Sequence, residues 1–321
     1  MNFLPILLFG AGVVGCVYSN GISSRYDTEN LCPPPDNIAP CTCFNSPVSN
    51  RITARCSNFT NANELKSIFN KNPDWDLQDV WIDQCALPFL PAKMLEKAHF
   101  QSLNVTSTSL FALFDTTPVT TPELNLYLYD VSILSSLRWR DFVNLSLLEF
   151  TTVNLTITSL GQDFKDHFPK GVQRLWFENT RITSIQNQAL SSLTKLQYLV
   201  IKRGSLKKLS RDMFPRPWNV IYLDFSYQKI AALPEDFFTD LPQLSYFLFE
   251  GNQLSTLSEK VFTNYSAFYV LNGNPFTCNC NIKWIVEKIQ PVFLQGECTE
   301  PESLKGKQLK SLNADDFRYC H

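Results

Sequence analysis

The residues that could do chemistry are few, and their spacing argues against most of what they could do. Histidines His99, His167 and His321 are scattered, and none falls in a Ser/His/Asp relay or a metal-ligand pattern. An enzyme needs a nucleophile or base held beside a second group in a pocket, and no such pair is legible. The chain is therefore read as a non-enzyme without metal or cofactor. Gly10, Gly12 and Gly15 do satisfy G-x-G-x-x-G. A dinucleotide-binding turn, however, needs a strand before it and an amphipathic helix after it. Here Pro5 breaks the apolar run and Cys32 with three prolines follows, so the context excludes that reading.

The cysteines say more. Residues 1–19 form an apolar stretch (Leu4, Ile6, Leu7, Leu8, Phe9, Val13, Val14) that ends in small residues and reads as a signal peptide carrying Cys16. Export exposes the remaining nine to an oxidising compartment. Cys32, Cys41, Cys43 and Cys56 crowd the front, Cys278, Cys280, Cys298 and Cys320 crowd the end, and Cys85 stands alone. Disulfides are the expected chemistry. Two zinc sites are the rival, weakened by the lack of a nearby histidine. Spacing leaves three possible pairings within each cluster of four. Cys85 is expected to be a buried, inert thiol, with an intermolecular disulfide as the alternative.

Five N-x-S/T sites, at Asn58, Asn104, Asn144, Asn154 and Asn264, suit an exported glycoprotein. No second apolar segment of spanning length follows, and the C-terminus has no hydrophobic tail, so a secreted protein without a membrane anchor is expected. Net charge is −2 without a long run of one sign, which points away from nucleic acid and anionic membranes.

What must position these residues is a repeat of about 24 residues. Its clearest unit is Leu244, Phe247, Phe249, Asn252, Leu254, Leu257, and the frame recurs at Val220, Leu223, Phe225, Gln228, Ile230, Leu233. It recurs again at Leu196, Leu199, Ile201, Gly204, Leu206, Leu209 and at Val172, Leu175, Phe177, Thr180, Ile182, Ile185. Weaker copies start at Leu77, Phe100, Leu126 and Leu145, and a degenerate ninth (Tyr269, Leu271, Asn274, Phe276) leads into the last cysteines. The L-x-L core of each unit is a short strand, and no unit can bury its apolar face alone. Stacking predicts an α/β solenoid with a parallel sheet on the concave face and short helices or irregular chain on the convex side. The position usually held by Asn is read as Cys85, Thr108, Val131, Val153, Thr180, Gly204, Gln228, Asn252 and Asn274, so the valine-bearing central repeats should be less regular. The long gap after Val153 is read as a loop around Gly161 to Gly171.

The front cluster C-x8-C-x-C-x12-C, and N-P-F-x-C-x-C-x3-W (Asn274 to Trp284) with Cys298 and Cys320, resemble the capping modules of extracellular leucine-rich-repeat proteins. That resemblance implies Cys32–Cys43, Cys41–Cys56, Cys278–Cys298 and Cys280–Cys320. It divides the chain into residues 1–19 (signal), 20–76 (N-terminal cap), 77–265 (eight repeats) and 266–321 (C-terminal cap). The segment C-P-P-P-D-N-I-A-P-C-T-C further resembles a group of secreted arthropod proteins similar to the non-catalytic subunit of a shrimp luciferase, which would imply a partner subunit of a secreted enzyme.

Side chains flanking the inward leucines should project from the concave strands in columns. One column reads Asp79, Ser102, Asn125, Leu147, Arg174, Tyr198, Tyr222, Tyr246 and the next Trp81, Asn104, Tyr127, Glu149, Trp176, Val200, Asp224, Leu248. Trp176, Tyr198, Tyr222 and Tyr246 with Arg174 and Lys202 are the candidate stripe for an extracellular protein ligand. The alternative is that the rings only stack on one another as sheet surface. A glycan on Asn104 would obstruct the N-terminal half of this face, which directs binding to the C-terminal half.

Overall fold

The computed structural model describes residues 32–46, 51–71, 75–97, 100–119, 121–262, 266–288 and 293–320. The segment expected to be a signal peptide, with Cys16, Gly10, Gly12 and Gly15, lies outside the described residues, as do His99, His321 and Asn264. Twelve strands form one sheet: β1 (Thr42–Asn45), β2 (Ile52–Ser57), β3 (Asp79–Asp83), β4 (Ser102–Thr106), β5 (Glu123–Tyr129) and β6 (Ser146–Val153). The sheet continues through β7 (Arg174–Glu178), β8 (Tyr198–Lys202), β9 (Tyr222–Asp224), β10 (Tyr246–Leu248), β11 (Phe268–Val270) and β12 (Phe293–Gln295). Only the β1–β2 pair is antiparallel. Every later neighbour is parallel and consecutive. This is the leucine-rich-repeat solenoid that the 24-residue period predicts.

One inward column carries the core along the whole sheet: Ala54, Val80, Leu103, Leu126, Phe150, Leu175, Leu199, Leu223, Phe247, Tyr269 and Leu294 are in register and buried. The residue that turns the chain out of each strand has a positive φ: Asn58, Gln84, Ser107, Asp130, Asn154, Asn179, Arg203, Tyr227, Gly251 and Gly273. Asn, Asp and Gly tolerate that left-handed backbone best, which accounts for six of the ten.

These turn residues fix the register and correct the expected one at β6. Phe150 lies beside Leu126 and Leu175, and Thr152 beside Leu128 and Phe177. The central repeat is therefore displaced by two residues: Glu149 takes the place expected for Leu147, Thr151 that of Glu149, and Leu155 that of Val153. The irregularity that absorbs the shift falls between Leu124 and Asn125 opposite β6. Leu147 is buried, pairing with Leu124. Residues Gly161 to Gly171 are not a plain loop either. They carry the short helix α1 (Gln162–His167), which drives Phe164 into the core.

Both ends are closed by disulfides joining Cys32 to Cys43, Cys41 to Cys56, Cys278 to Cys298 and Cys280 to Cys320. These are the pairs the capping-module resemblance implies. Trp284 anchors the C-terminal end by donating its indole N–H to Leu257 O at 2.8 Å.

Candidate binding face

Register places two columns of outward side chains on the concave sheet. The first runs Thr53, Asp79, Ser102, Asn125, Glu149, Arg174, Tyr198, Tyr222, Tyr246, Phe268 and Phe293. Adjacent strands lie about 4.8 Å apart, close enough for like rings at one register position to stack. The Arg174 guanidinium sits 4.9 Å from the Tyr198 ring centre, and Tyr198 to Tyr222 spans 6.2 Å. Tyr222 to Tyr246 spans 6.1 Å, Tyr246 to Phe268 5.2 Å, and Phe268 to Phe293 5.1 Å. The result is one aromatic row across five strands, capped by a cation. Neighbouring ring planes lie between 25° and 40° of one another, from stacked to tilted. Tyr246 is the most open, at 43% exposed. Burial, then the charges of Asp224 and Glu250, pushes the Tyr222 hydroxyl above its ordinary value.

Trp176 and Lys202 belong to a different cluster. Lys202 Nζ lies 4.7 Å over the Trp176 ring and 3.2 Å from Glu178, while the indole N–H donates to Glu178 at 3.1 Å. Arg203 reaches Glu178 at 3.3 Å and lies 5.3 Å over Tyr227. On the next strands the Tyr127 hydroxyl donates to Glu149 (3.1 Å), and Arg174 stands 3.9 Å from the same carboxylate. The two cations of the predicted stripe are thus engaged by carboxylates outside it, Arg174 by Glu149 and Lys202 by Glu178, and the tyrosines form the freer edge. Asp224 is buried beside them, and that burial raises its carboxyl above the usual range against the Ser226 N–H it accepts at 2.8 Å.

Phe268 and Phe293 were not in the predicted stripe. Phe268 precedes Tyr269, the inward residue of the degenerate ninth repeat, and that placement was available. Phe293 lies on a strand with no repeat signature.

Among the sequons, Asn58, Asn144 and Asn154 are exposed at strand ends. Asn104 is mid-strand between Trp81 and Tyr127 and only 7% exposed, so a glycan there would have to displace its neighbours. A buried Asn104 does not obstruct the N-terminal half of the face with a glycan. Cys85 is buried and unbonded to another cysteine. Its sulfur accepts the Phe59 N–H at 3.3 Å, and burial pushes the thiol up, away from the reactive thiolate. His167 packs on its own helix, 3.0 Å from Asp163. Among the described residues no group of three or more His, Cys, Asp or Glu is placed to hold a metal ion, and no helix is long and apolar enough to cross a membrane.

No family model matches the chain. It is 25% identical to the non-catalytic subunit of Oplophorus-luciferin 2-monooxygenase from Oplophorus gracilirostris, over 94% of this chain and 93% of that protein. Lumican from Gallus gallus is 22% identical over 84% of this chain and 69% of that protein. Among solved structures, a chain from an octameric complex of Latrophilin 3, Unc5D and the leucine-rich-repeat part of FLRT2 superposes with a TM-score of 0.60, covering 81% of this chain and 88% of that one at 21% identity. Repeat, parallel sheet and disulfide caps agree with these likenesses: the chain is a leucine-rich-repeat protein with cysteine-bonded caps at both ends.

Proposed function

We propose that this chain is a secreted, non-catalytic recognition protein that binds a protein partner along the C-terminal half of its concave face. The observation that carries the reading is the row Arg174, Tyr198, Tyr222, Tyr246, Phe268, Phe293. Aromatic and Arg side chains dominate interface energetics, and rings already fixed by stacking lose little further freedom on binding. Exposed sequons at Asn144 and Asn154 sit at the two ends of β6, so glycans there would fence this row from one side only. Residues 1–19 would be the signal peptide, 20–76 and 266–321 the caps, and 77–265 the eight repeats.

A second reading, a subunit that stabilises a secreted enzyme, is favoured by the near full-length likeness to the non-catalytic luciferase subunit. Isolation of the native protein under non-reducing conditions, with mass spectrometry of whatever co-purifies, separates the two. One enzyme in constant ratio supports the subunit reading. Repeating the capture with Tyr222→Ala/Tyr246→Ala tests the face itself. Each lost anchor should weaken binding by about 2 kcal/mol, roughly thirtyfold. Undiminished capture by a folded double variant would sink the concave-face reading.

A further inference from the structure

The chain leaves each strand across a lateral flank, and in three consecutive repeats that flank is basic. Arg181, Arg203, Lys207, Lys208 and Lys229 are all exposed there. Segments 179–188, 203–210 and 227–234 contain no Asp or Glu, and the flanking segments 155–162 and 251–258 contain no charge of either sign. The three basic segments lie edge to edge, because Ser205 N–H donates to Ile182 O at 3.1 Å and Lys229 N–H to Leu206 O at 2.8 Å. Ile182, Leu206 and Ile230 point into the core, leaving the cations on the outer surface. Of the five, Arg203 has a carboxylate partner, Glu178 on the concave side. The same segments expose small side chains beside the cations, Thr183, Ser184, Ala231 and Ala232.

We propose that this flank binds a linear sulfated polysaccharide lying along the solenoid axis. Charges about 24 residues apart in sequence become a continuous array only when the repeats stack at about 4.8 Å, so no basic run announces it in a chain whose net charge is −2. The array suits a polymer of fixed anionic groups held by charge alone: small residues let it approach the backbone, and no apolar pocket is needed. An acidic protein segment would be expected to use aromatic anchors as well, and those lie on the concave face.

The test measures binding of a size-defined heparin oligosaccharide to the full chain across a salt series. Lys207→Ala/Lys208→Ala/Lys229→Ala is compared with Lys170→Ala/Lys195→Ala/Lys310→Ala, an equal charge change at exposed sites elsewhere. The flank variant should lose about tenfold or more in affinity and flatten the dependence of log K on log salt, while the control keeps both. Exposed Lys→Ala changes leave stability nearly unaltered, and matched thermal unfolding verifies that. Equal losses in both variants, no binding by the unaltered chain at low ionic strength, or equally tight binding of poly-L-glutamate of matched charge would each overturn the proposal. Because Tyr222→Ala leaves the flank intact, oligosaccharide binding that survives it keeps this inference separate from the concave-face reading.

Discussion

In the C-terminal repeats the residue after each left-handed turn is Gln228, Asn252 or Asn274, and in the central repeats it is Val131, Leu155 or Thr180. The amides tie neighbouring repeats together from inside. Gln228 accepts the Leu206 N–H and donates to Ile201 O, both at 2.9 Å, and Asn252 accepts the Ile230 N–H at 3.2 Å and donates to Phe225 O at 2.9 Å. Asn274 repeats the pattern with Leu254 N–H and Phe249 O. In the central repeats the link moves one residue outward, to the rim: Asn154 donates to Asp130 and Asn179 to Asn154 through their side chains. The core of these repeats also holds an aromatic cluster in which Trp139 lies 4.7 Å from Phe164, 5.5 Å from Phe142 and 5.6 Å from Phe168. Stacked repeats can therefore be joined by buried amides or by packed rings with a polar rim.

Removing what each region relies on should cost the most stability. Trp139→Ala should cost about 3–5 kcal/mol, because the cavity opens among several rings that cannot all collapse into it. Asn252→Ala should cost about 2–4 kcal/mol by leaving a buried N–H and a buried carbonyl unpaired. Denaturant unfolding of the two variants ranks these losses. If the regions melt separately, each substitution will shift only its own transition, as nearest-neighbour coupling in repeat arrays allows. Gly204→Ala probes the inner ladder directly. A Cβ on Gly204 would stand 2.8 Å from Gln228 Oε1, the atom that accepts the Leu206 N–H. A loss of about 1–3 kcal/mol is expected, and a double-mutant cycle with Gln228→Ala should show coupling, since the clash and the bond involve one amide.

The inner ladder was legible where its residues were polar, since Gln228, Asn252 and Asn274 each follow the strand at the same place in the repeat frame, with inward apolar neighbours. The rim was not, because an Asn or Asp at the turn looks like ordinary turn chemistry until register puts Asp130, Asn154 and Asn179 side by side. Register at β6 failed for a related reason. Ser146–Val153 offers Leu147, Leu148 and Phe150 as inward candidates, and apolar spacing alone does not choose among them. The left-handed residue Asn154 does choose. Of the candidate face, the tyrosine row followed from periodicity, whereas its continuation to Phe293 required knowing that the C-terminal cap adds a strand. The basic flank escaped altogether, being assembled from separate repeats.

One substitution at one position in two repeats should have opposite effects. Thr108 and Thr180 occupy equivalent places after the left-handed turn. Thr108 Oγ1 accepts the Cys85 N–H at 3.2 Å and donates to Thr106 O at 2.8 Å, whereas the Thr180 hydroxyl is buried without a hydrogen-bond partner. Replacing Thr108 by Val should cost about 1–2 kcal/mol, because the buried Cys85 N–H loses its acceptor. Replacing Thr180 by Val removes an unpaired buried hydroxyl and gives that repeat the apolar side chain already present at Val131, so stability should hold or rise by about 1 kcal/mol. Opposite signs, read as shifts in the denaturant midpoint at constant m, are what an inner ladder interrupted in the central repeats requires. Equal losses at both positions would mean that the ladder runs unbroken through Thr180, and the distinction between the two regions would fall with it.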